Sequence, residues 1–323
     1  MLKKLMLSLA MVAAALVCTS ALAQDFPNHP VKIVVPWPPG GNVDITARTL
    51  QQAFSEALGQ AVIVDNRAGA GGTIGTAAVT KSPADGYTLL LGSSGTVTSG
   101  AAVFKNLSYD PLKDLVPIGP IQYVAMVLSA APKTPVSNFK EYAAYARSKP
   151  GQVSIASAGT GSSNHLALEL MMHQANLKLV HIPYKGSGPA INDLLGSQVE
   201  SMMDQMTASI EHIRNGRIKP LGVTAKVRSP LLPNVPTLDE QGLTGFEAGT
   251  FTGLFAPAGT PPAVLEKLHA ALQKALANET VRSRYLSMGV EVMNMKQAEF
   301  AAFVQADYQK WLKIARDANI VIQ

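Results

Sequence analysis

The feature that most restricts the fold of this chain is an alternation of short apolar runs with amphipathic segments of helical length. In the first part, strand-like runs at Val31–Val35, Ala61–Val64 and Tyr87–Leu91 are separated by helical patterns over Asp44–Leu58 and Thr73–Lys81. A β-α-β-α-β order is typical of a parallel sheet covered by helices. The sequence therefore predicts an α/β fold.

A second alternating series starts near residue 137, and the chain is mostly helical after Pro261. Between the two series lie two extended apolar stretches, Val116–Ala130 and Phe246–Pro257. If both stretches cross from one α/β unit to the other, the first unit is discontinuous. We expect lobe 1 to comprise residues 24–124 and 247–323, and lobe 2 to comprise residues 125–246, with a hinge and a ligand cleft between them.

The first 23 residues have the pattern of a secretory signal peptide. Two lysines precede an apolar run from Leu5 to Val17, and Ala21-Leu22-Ala23 is a small-residue cleavage pattern. Cleavage after Ala23 would release the mature protein into a bacterial periplasm. Because Cys18 is the only cysteine, the mature chain can form no disulfide, thiolate nucleophile or cysteine metal site.

The charge of the chain argues against nucleic acid as a partner. The formal net charge is +5, and removal of Lys3 and Lys4 with the signal peptide lowers it to +3. No basic run exceeds two residues, and none is interleaved with aromatic residues. A mildly positive exported protein is at most slightly favoured for acidic small molecules.

Two glycine-rich loops, Pro36–Asn42 and Ser157–Ser163, each lead from the end of a predicted strand into a predicted helix. The first amides of a helix lack internal partners and carry about half a positive charge between them. Glycine allows the backbone to approach a ligand closely. One such loop is weak evidence of a site, but two loops, one in each lobe, predict a site for a carboxylate or phosphate.

Three residues near these loops have both a ligand-binding and a structural interpretation. Trp37 either forms a wall of the cleft or simply packs. Asp44, in the first turn of its helix, would repel an anion, so we expect a capping role with the carboxylate turned away from the ligand. Asp204 follows a predicted strand, and it either faces the cleft or caps the next helix.

Catalytic and metal-binding interpretations fit the sequence poorly. Ser163 and His165 are two residues apart on a predicted helix and so diverge, and no Gly-x-Ser-x-Gly elbow is present. The residues GAGGTIG do not complete a dinucleotide-binding fingerprint. His165, His173 and His181 are eight residues apart without paired carboxylates, so packed or capping histidines are favoured over a metal site.

Several segments together resemble one known family. These are PPGGNVD, NRAGAGGTIG, DGYTLLLGSSGT, ASAGTGSSNHL, PYKGSGPAINDLL, RSPLLPNVPTLDEQG and LFAPAGTPP. From about Phe26 to the C-terminus, they match the Bug-type solute receptors of tripartite tricarboxylate transporters in order and spacing. The resemblance implies a type II periplasmic binding protein fold, in which two α/β lobes close on a small carboxylated solute in the manner of a Venus flytrap.

The resemblance also implies the site residues. One carboxylate would be held between the loops by Gly40, Gly41, Asn42 and Val43 from the first lobe and by Gly161, Ser162, Ser163 and His165 from the second. Ser93 or Ser94, together with Asp204, would line the distal part, and Trp37 and Asp44 complete the predicted set. An Asp204 that faced the ligand would favour an amino or hydroxy acid.

The implied function is binding without catalysis, with no cofactor and no metal. We expect a monomeric receptor that captures a di- or tricarboxylate, an amino acid or an aromatic acid and delivers it to a membrane permease. One alternative is a sensor of the same fold that signals to the ectodomain of a sensor kinase. A secreted hydrolase is a third interpretation, and turnover that depends on Ser163 or His165 would be needed to support it.

Overall fold

The computed structural model describes residues 26–317, so the predicted signal peptide and its cleavage site lie outside the described residues. Across the described part, no helix is long and apolar enough to span a membrane. The strands are β1 (Val31–Val35), β2 (Val62–Asn66), β3 (Thr88–Ser93), β4 (Leu115–Ala130), β5 (Ser154–Ser157), β6 (Val180–Pro183), β7 (Ser201–Gln205), β8 (Lys219–Val223), β9 (Gly249–Pro257) and β10 (Glu291–Val292).

The helices follow the strands in the predicted alternation. They are α1 (Asn42–Leu58), α2 (Thr73–Thr80), α3 (Ser94–Val97), α4 (Phe139–Ser148), α5 (Ser163–Ala175), α6 (Ser187–Leu195), α7 (Met206–Arg214), α8 (Pro262–Ala277), α9 (Glu279–Ser287) and α10 (Gln297–Asp317). A 3₁₀ turn at Ala70–Gly72 precedes α2. The predicted β-α-β-α-β order at the start of the chain is confirmed.

The strands form a continuous curled sheet in the order β2-β1-β3-β9-β4-β7-β5-β6, and β8 and β10 also pair with β4. Strand β1 pairs in parallel with β2 and β3, and β5 pairs in parallel with β6 and β7. Each group of parallel strands has helices packed against it. The architecture is therefore two α/β halves that share their central strand.

Strand β4 is that shared strand. Its residues Leu115–Ala125 pair with β9, whereas Met126–Ala130 lie between β7 and β8. Next to this change of partner, the N–H of Met126 donates to Oγ1 of Thr224, and the N–H of Ala248 donates to the carbonyl of Thr224. Both chain crossings thus lie side by side, as a hinge requires, although the predicted lobe boundaries remain a prediction.

Each half has its own hydrophobic core. In the first half, Leu50 and Phe54 of α1 pack with Leu268 and Leu272 of α8 against the apolar residues of β1. Burying one such side chain contributes about 1.5–3 kcal/mol, so this contact fixes the returning C-terminal helices on the first half. The apolar positions of α1 recur at helical spacing, which explains why the segment folds as a helix with one buried face.

Candidate functional site

The two halves touch each other across a cleft at the carboxyl ends of their parallel strands. A Cβ atom on Gly186 would lie 2.8 Å from Cδ of Pro38, and one on Gly95 would lie 3.1 Å from the backbone nitrogen of Ser163. These pairs join the first half to the second. The structure therefore shows the lobes closed, with the two glycine-rich loops at their contact.

The loop of the first lobe turns the chain from β1 directly into α1. Gly40 has a φ of +86°, a value that favours glycine, and Gly41 is the N-cap of α1 in extended conformation. No side chain caps this helix end. The amides of Asn42 and Val43, which have no partner one turn earlier, are therefore open to an acceptor.

Asp44 holds this loop in shape from behind. Its carboxylate accepts hydrogen bonds from the N–H of Gly40 at 2.9 Å, from Nε of Arg48 at 3.0 Å and from Nδ2 of Asn66 at 2.9 Å. Asn66 also donates to the carbonyl of Trp37 at 3.0 Å. The carboxylate of Asp44 is thus directed at the loop and outside the cavity lining, which is the orientation expected of a supporting residue.

The loop of the second lobe is shaped by its own side chains. Oγ of Ser162, the N-cap of α5, accepts from the N–H of His165 at 3.2 Å and donates to the carbonyl of Gly159 at 2.7 Å. The N–H of Gly161 donates to Nδ1 of His165 at 3.2 Å. Gly161, Ser162 and His165 therefore set the loop conformation, while the neighbouring Ser163 reaches the cavity.

His165 belongs to a stacked pair that supports the same loop. Its ring lies 4.2 Å from the ring of His181 at an interplanar angle of 12°, and its Nε2 lies 3.3 Å from Glu169. His181 is hydrogen-bonded to Oγ of Ser157 at 2.7 Å, and burial lowers its pKa to about 4, assisted by the adjacent His165.

This histidine pair has a poor geometry for a metal ion and for catalysis. A nitrogen of each ring and an oxygen of Glu169 lie within 4.8 Å of one another. An ion bound to imidazole lies near the ring plane, and two nearly parallel stacked planes cannot both contain it. The ring nitrogens of His165 are bonded to Gly161 and Glu169, so this histidine is not placed as a base for Ser163.

Two further helices begin at the same place. Gly186 is the N-cap of α6 and Gln205 is the N-cap of α7, and neither end has a side-chain cap. Both residues line the cavity. Together with α1 and α5, four helices of nine or more residues direct their N-termini at one point. Their dipoles make that point favourable for negative charge.

The cavity at this convergence is narrow. Its volume is about 20 Å³, which is enough for one or two water-sized groups. Six predicted residues line it: Trp37, Gly41, Asn42, Val43, Ser93 and Ser163. Pro38 and Ala158, from the two predicted loops, also line it, and lining residues outside the predicted loops and residue set are Asn164, Gly186, Ser187, Gln205 and Thr250. Within residues 26–317, no charged side chain contributes to this lining.

The remaining predicted residues do not line the narrow cavity. Gly40 and Asp44 stabilise the first loop, and Gly161, Ser162 and His165 stabilise the second. The hydroxyl of Ser94 accepts from the N–H of Phe251 at 3.0 Å and lies at a different cavity. Ser93 differs from Ser94 because it caps the short helix α3 and reaches the cleft.

Buried carboxamide side chains hold polar residues of the cavity lining in place by hydrogen bonds. Nε2 of Gln122, on the shared strand β4, donates to Oδ1 of Asn42 at 2.8 Å. This contact leaves Nδ2 of Asn42 buried without an acceptor in the described part of the chain, and Nε1 of Trp37 is in the same condition. In the second lobe, Nε2 of Gln205 donates to Oδ1 of Asn164 at 2.9 Å and Oγ of Ser163 at 3.3 Å.

Asp204 lies one layer behind the cavity and is 1% exposed. It accepts from Oγ of Ser187 at 2.7 Å and Nδ2 of Asn164 at 2.8 Å, and Oγ of Ser209 lies 3.3 Å away. Burial raises its pKa to about 6, although these hydrogen bonds act against the rise. Asp204 is thus next to the site without lining it, and its carboxylate oxygens are already occupied.

A wider cavity of about 250 Å³ adjoins the narrow one. The two cavities share Trp37 and Ala158, so they adjoin at these two residues. The wider cavity is lined mainly by the Gly69–Gly72 segment, by Gly159 and Thr160, and by Tyr184 and Lys185. It offers room for a ligand group that the narrow cavity cannot hold.

Comparison with known proteins gives a consistent result. A sequence model described as "Tripartite tricarboxylate transporter family receptor" matches residues 46–320. The chain is 36% identical to Protein BugT of Bordetella pertussis over 309 residues, which covers 95% of both proteins. The solved structure of the periplasmic binding protein BugD has a TM-score of 0.89 and 38% identity, covering 92% of this chain and all of BugD.

Two further solved structures contain carboxylates. MatC from Rhodopseudomonas palustris, with bound malate, has a TM-score of 0.87 and 34% identity and covers 90% of this chain and 99% of its own. Rpa4515 from R. palustris, with adipate, has a TM-score of 0.89 and 32% identity and covers 92% of this chain and 99% of its own.

This chain belongs to the tripartite tricarboxylate transporter receptor family, and BugT and BugD are similar to the chain over almost their whole length. The predicted family resemblance and the two-lobed periplasmic binding protein fold are confirmed. The family consists of solute receptors, a non-catalytic class, and its solved relative BugD is a periplasmic binding protein.

Proposed function

We propose that this protein is a periplasmic receptor that binds one carboxylate group of a small organic acid in the narrow cavity and delivers the acid to a membrane permease. The observation that carries the proposal is that four helix N-termini converge on one cavity, to whose lining no charged side chain of residues 26–317 contributes. Among the described residues, the donors at this point are backbone amides, hydroxyls and carboxamides.

Such a site suits a carboxylate because a buried anion is costly unless several donors surround it. The open amides of Asn42 and Val43 and the unpartnered Nδ2 of Asn42 supply donors from the first lobe. The first amides of α5 and α6 and the hydroxyl of Ser163 supply others from the second. Donors from both lobes are complete only when the cleft is closed, so ligand binding favours closure.

The two cavities suggest how a larger acid would lie. One carboxylate fits the narrow cavity, and the remainder of the acid would pass Trp37 towards the wider one. The malate and adipate bound by MatC and Rpa4515 support a dicarboxylate as the first class to test. A preference for amino acids has less support, because the oxygens of Asp204 already accept from Ser187 and Asn164.

A thermal-shift screen of refolded residues 24–323 tests the proposal. Mono-, di- and tricarboxylates, amino acids and aromatic acids would each be added at millimolar concentration. A ligand at a hundred times its dissociation constant adds about 2.7 kcal/mol to stability, which raises the melting temperature measurably. We expect at least one carboxylate to do so. A folded protein that responds to none of them would contradict the proposal.

The partner is tested separately in cells. Loss of uptake of the identified acid in a deletion strain would support delivery to a permease. Normal uptake combined with loss of an acid-dependent transcriptional response would instead favour the sensor function.

A further inference from the structure

Asp204 is a buried acid without a cationic partner beside a site for anions. The residue ends β7, and every group that donates to its carboxylate is neutral: the hydroxyls of Ser187 and Ser209, the carboxamide of Asn164 and the backbone N–H of Gln205. Opposite it on β4 is the apolar Val127. Within residues 26–317, no side chain of these elements places a charge against the carboxyl group.

The same donors connect Asp204 to the ligand site. Ser187 and Asn164 line the narrow cavity and bond to Oδ1 of Asp204 with their side chains. A carboxylate bound in the cavity would therefore lie only one side chain away from Asp204. Two like charges so close together in a dry site raise the proton affinity of the buried acid.

We propose that the receptor takes up one proton on Asp204 when it binds a carboxylate. The inference rests on the proposed function of the narrow cavity. The proton comes from solvent and converts the carboxylate of Asp204 into a carboxylic acid, so the bound complex carries one negative charge fewer. This coupling makes Asp204 a positioning residue for the ligand, although it does not touch the ligand.

The protonated acid also changes the role of Ser187. In the ionised state the hydroxyl of Ser187 donates to Oδ1 of Asp204 at 2.7 Å. A protonated Asp204 can donate to Oγ of Ser187 instead, which leaves the hydroxyl hydrogen of Ser187 free to donate to the ligand. Proton uptake thus removes one repulsive charge and adds one donor. Because the pKa of the buried Asp204 carboxyl group is about 6, its protonation can be followed in ordinary buffers.

Titration calorimetry of wild-type protein with malate and adipate, in buffers of different ionisation enthalpy between pH 5.5 and 7.5, tests the proposal. We expect net proton uptake per bound acid, and an affinity that rises as pH falls. Each pKa unit by which the ligand shifts Asp204 corresponds to about a tenfold gain in affinity. Binding without proton uptake across this range would overturn the inference and leave the proposed function intact.

Three variants distinguish proton uptake by Asp204 from protonation of the ligand itself. Asp204→Asn should lose the uptake that wild type shows, whereas Asp307→Asn, the same change at a half-buried acid that also accepts from a neutral hydroxyl, should retain it. Ser209→Ala removes one donor from the carboxylate of Asp204, which raises the pKa of Asp204. The midpoint of the curve of affinity against pH should therefore move to higher pH. This variant decides the question if Asp204→Asn does not fold, because an unchanged midpoint would overturn the inference.

The remaining outcomes are also decisive. Uptake that persists unchanged in a folded Asp204→Asn variant would assign the proton to the ligand and overturn the inference. If neither acid binds at any pH, and the wider screen finds no other carboxylate, the proposed function fails and this inference fails with it.

Discussion

Replacing Asn42 by Asp should abolish carboxylate binding while leaving the ligand-free fold intact. Asn42 is 3% exposed, its Oδ1 accepts from Gln122 at 2.8 Å, and its Nδ2 has no acceptor among the described residues. Asp keeps the shape and the acceptor for Gln122. It replaces the open donor by a negative oxygen, so the change acts on the ligand rather than on the surrounding packing.

The magnitude follows from two contributions. Loss of a hydrogen bond to a charged group costs about 1.5–3 kcal/mol. Repulsion between two carboxylates about 4 Å apart adds about 4 kcal/mol at an effective dielectric constant near 20. Since each 1.4 kcal/mol is tenfold in affinity, we expect a loss of at least about a thousandfold. The unfolding free energy of the ligand-free protein should fall by less than the binding free energy, because the dipole and open amides at the N-terminus of α1 favour the new charge and offset part of its burial cost.

Calorimetric titration with the acid found in the screen measures the affinity, and thermal unfolding of the ligand-free protein measures the fold. Asn192→Asp, which adds the same charge at an exposed position of α6, is the matched control and should bind normally. An Asn42→Asp protein that is folded and binds within threefold of wild type would refute the reasoning that Asn42 donates to the ligand.

Gly41→Val should weaken carboxylate binding at least tenfold, whereas Gly41→Ala should be mild, because a Cβ there lies 3.8 Å from Cβ of Ser187. Asp44→Ala should weaken binding and lower unfolding free energy by about 2 kcal/mol, since three donors lose a buried acceptor. Neutral His181 should stabilise the fold fully above about pH 6.5, and this contribution should disappear towards pH 4, because the unfolded chain takes the proton first.

Each of these predictions has a direct check. Calorimetry distinguishes the two Gly41 variants, and equal affinities would remove the steric argument for that position. Denaturant unfolding measures Asp44→Ala, where wild-type stability would show that Asp44 does not support the loop. Unfolding between pH 4 and 7 should be less pH-dependent in His181→Phe than in wild type; identical slopes would contradict the role of His181.

The fold was predictable because it depends on patterns that are local in sequence. The apolar runs and helical periodicity predict β1, α1, β2, α2 and β3, and two long extended stretches predict the hinge region. The short helix α3 was missed because Ser94–Val97 has no helical periodicity. Helix α6 starts at Ser187, but the glycines at positions 186 and 188 obscure its first turn in the sequence, where a helical pattern is visible only from Pro189.

The site was predictable only in part, for a related reason. A glycine-rich turn between a strand and a helix is visible in sequence and indicates the two loops, whereas the individual residues Gly41, Asn42, Val43 and Ser163 follow from the family resemblance. The contributions of Asn164 and Gln205 depend on side-chain contacts between elements about 40 residues apart, which no local pattern shows. The same holds for Gln122, which reaches Asn42 from the shared strand 80 residues later.

The most direct test of the central claim compares acids with their neutral analogues. Refolded protein would be titrated with malate and adipate, and with the corresponding diamides, which keep the carbon skeleton but carry no negative charge. Helix N-termini and open amides should select the charge, so we predict that at least one acid binds and that its diamide binds at least a hundredfold more weakly. Equal binding of acid and diamide would contradict anion recognition at this site.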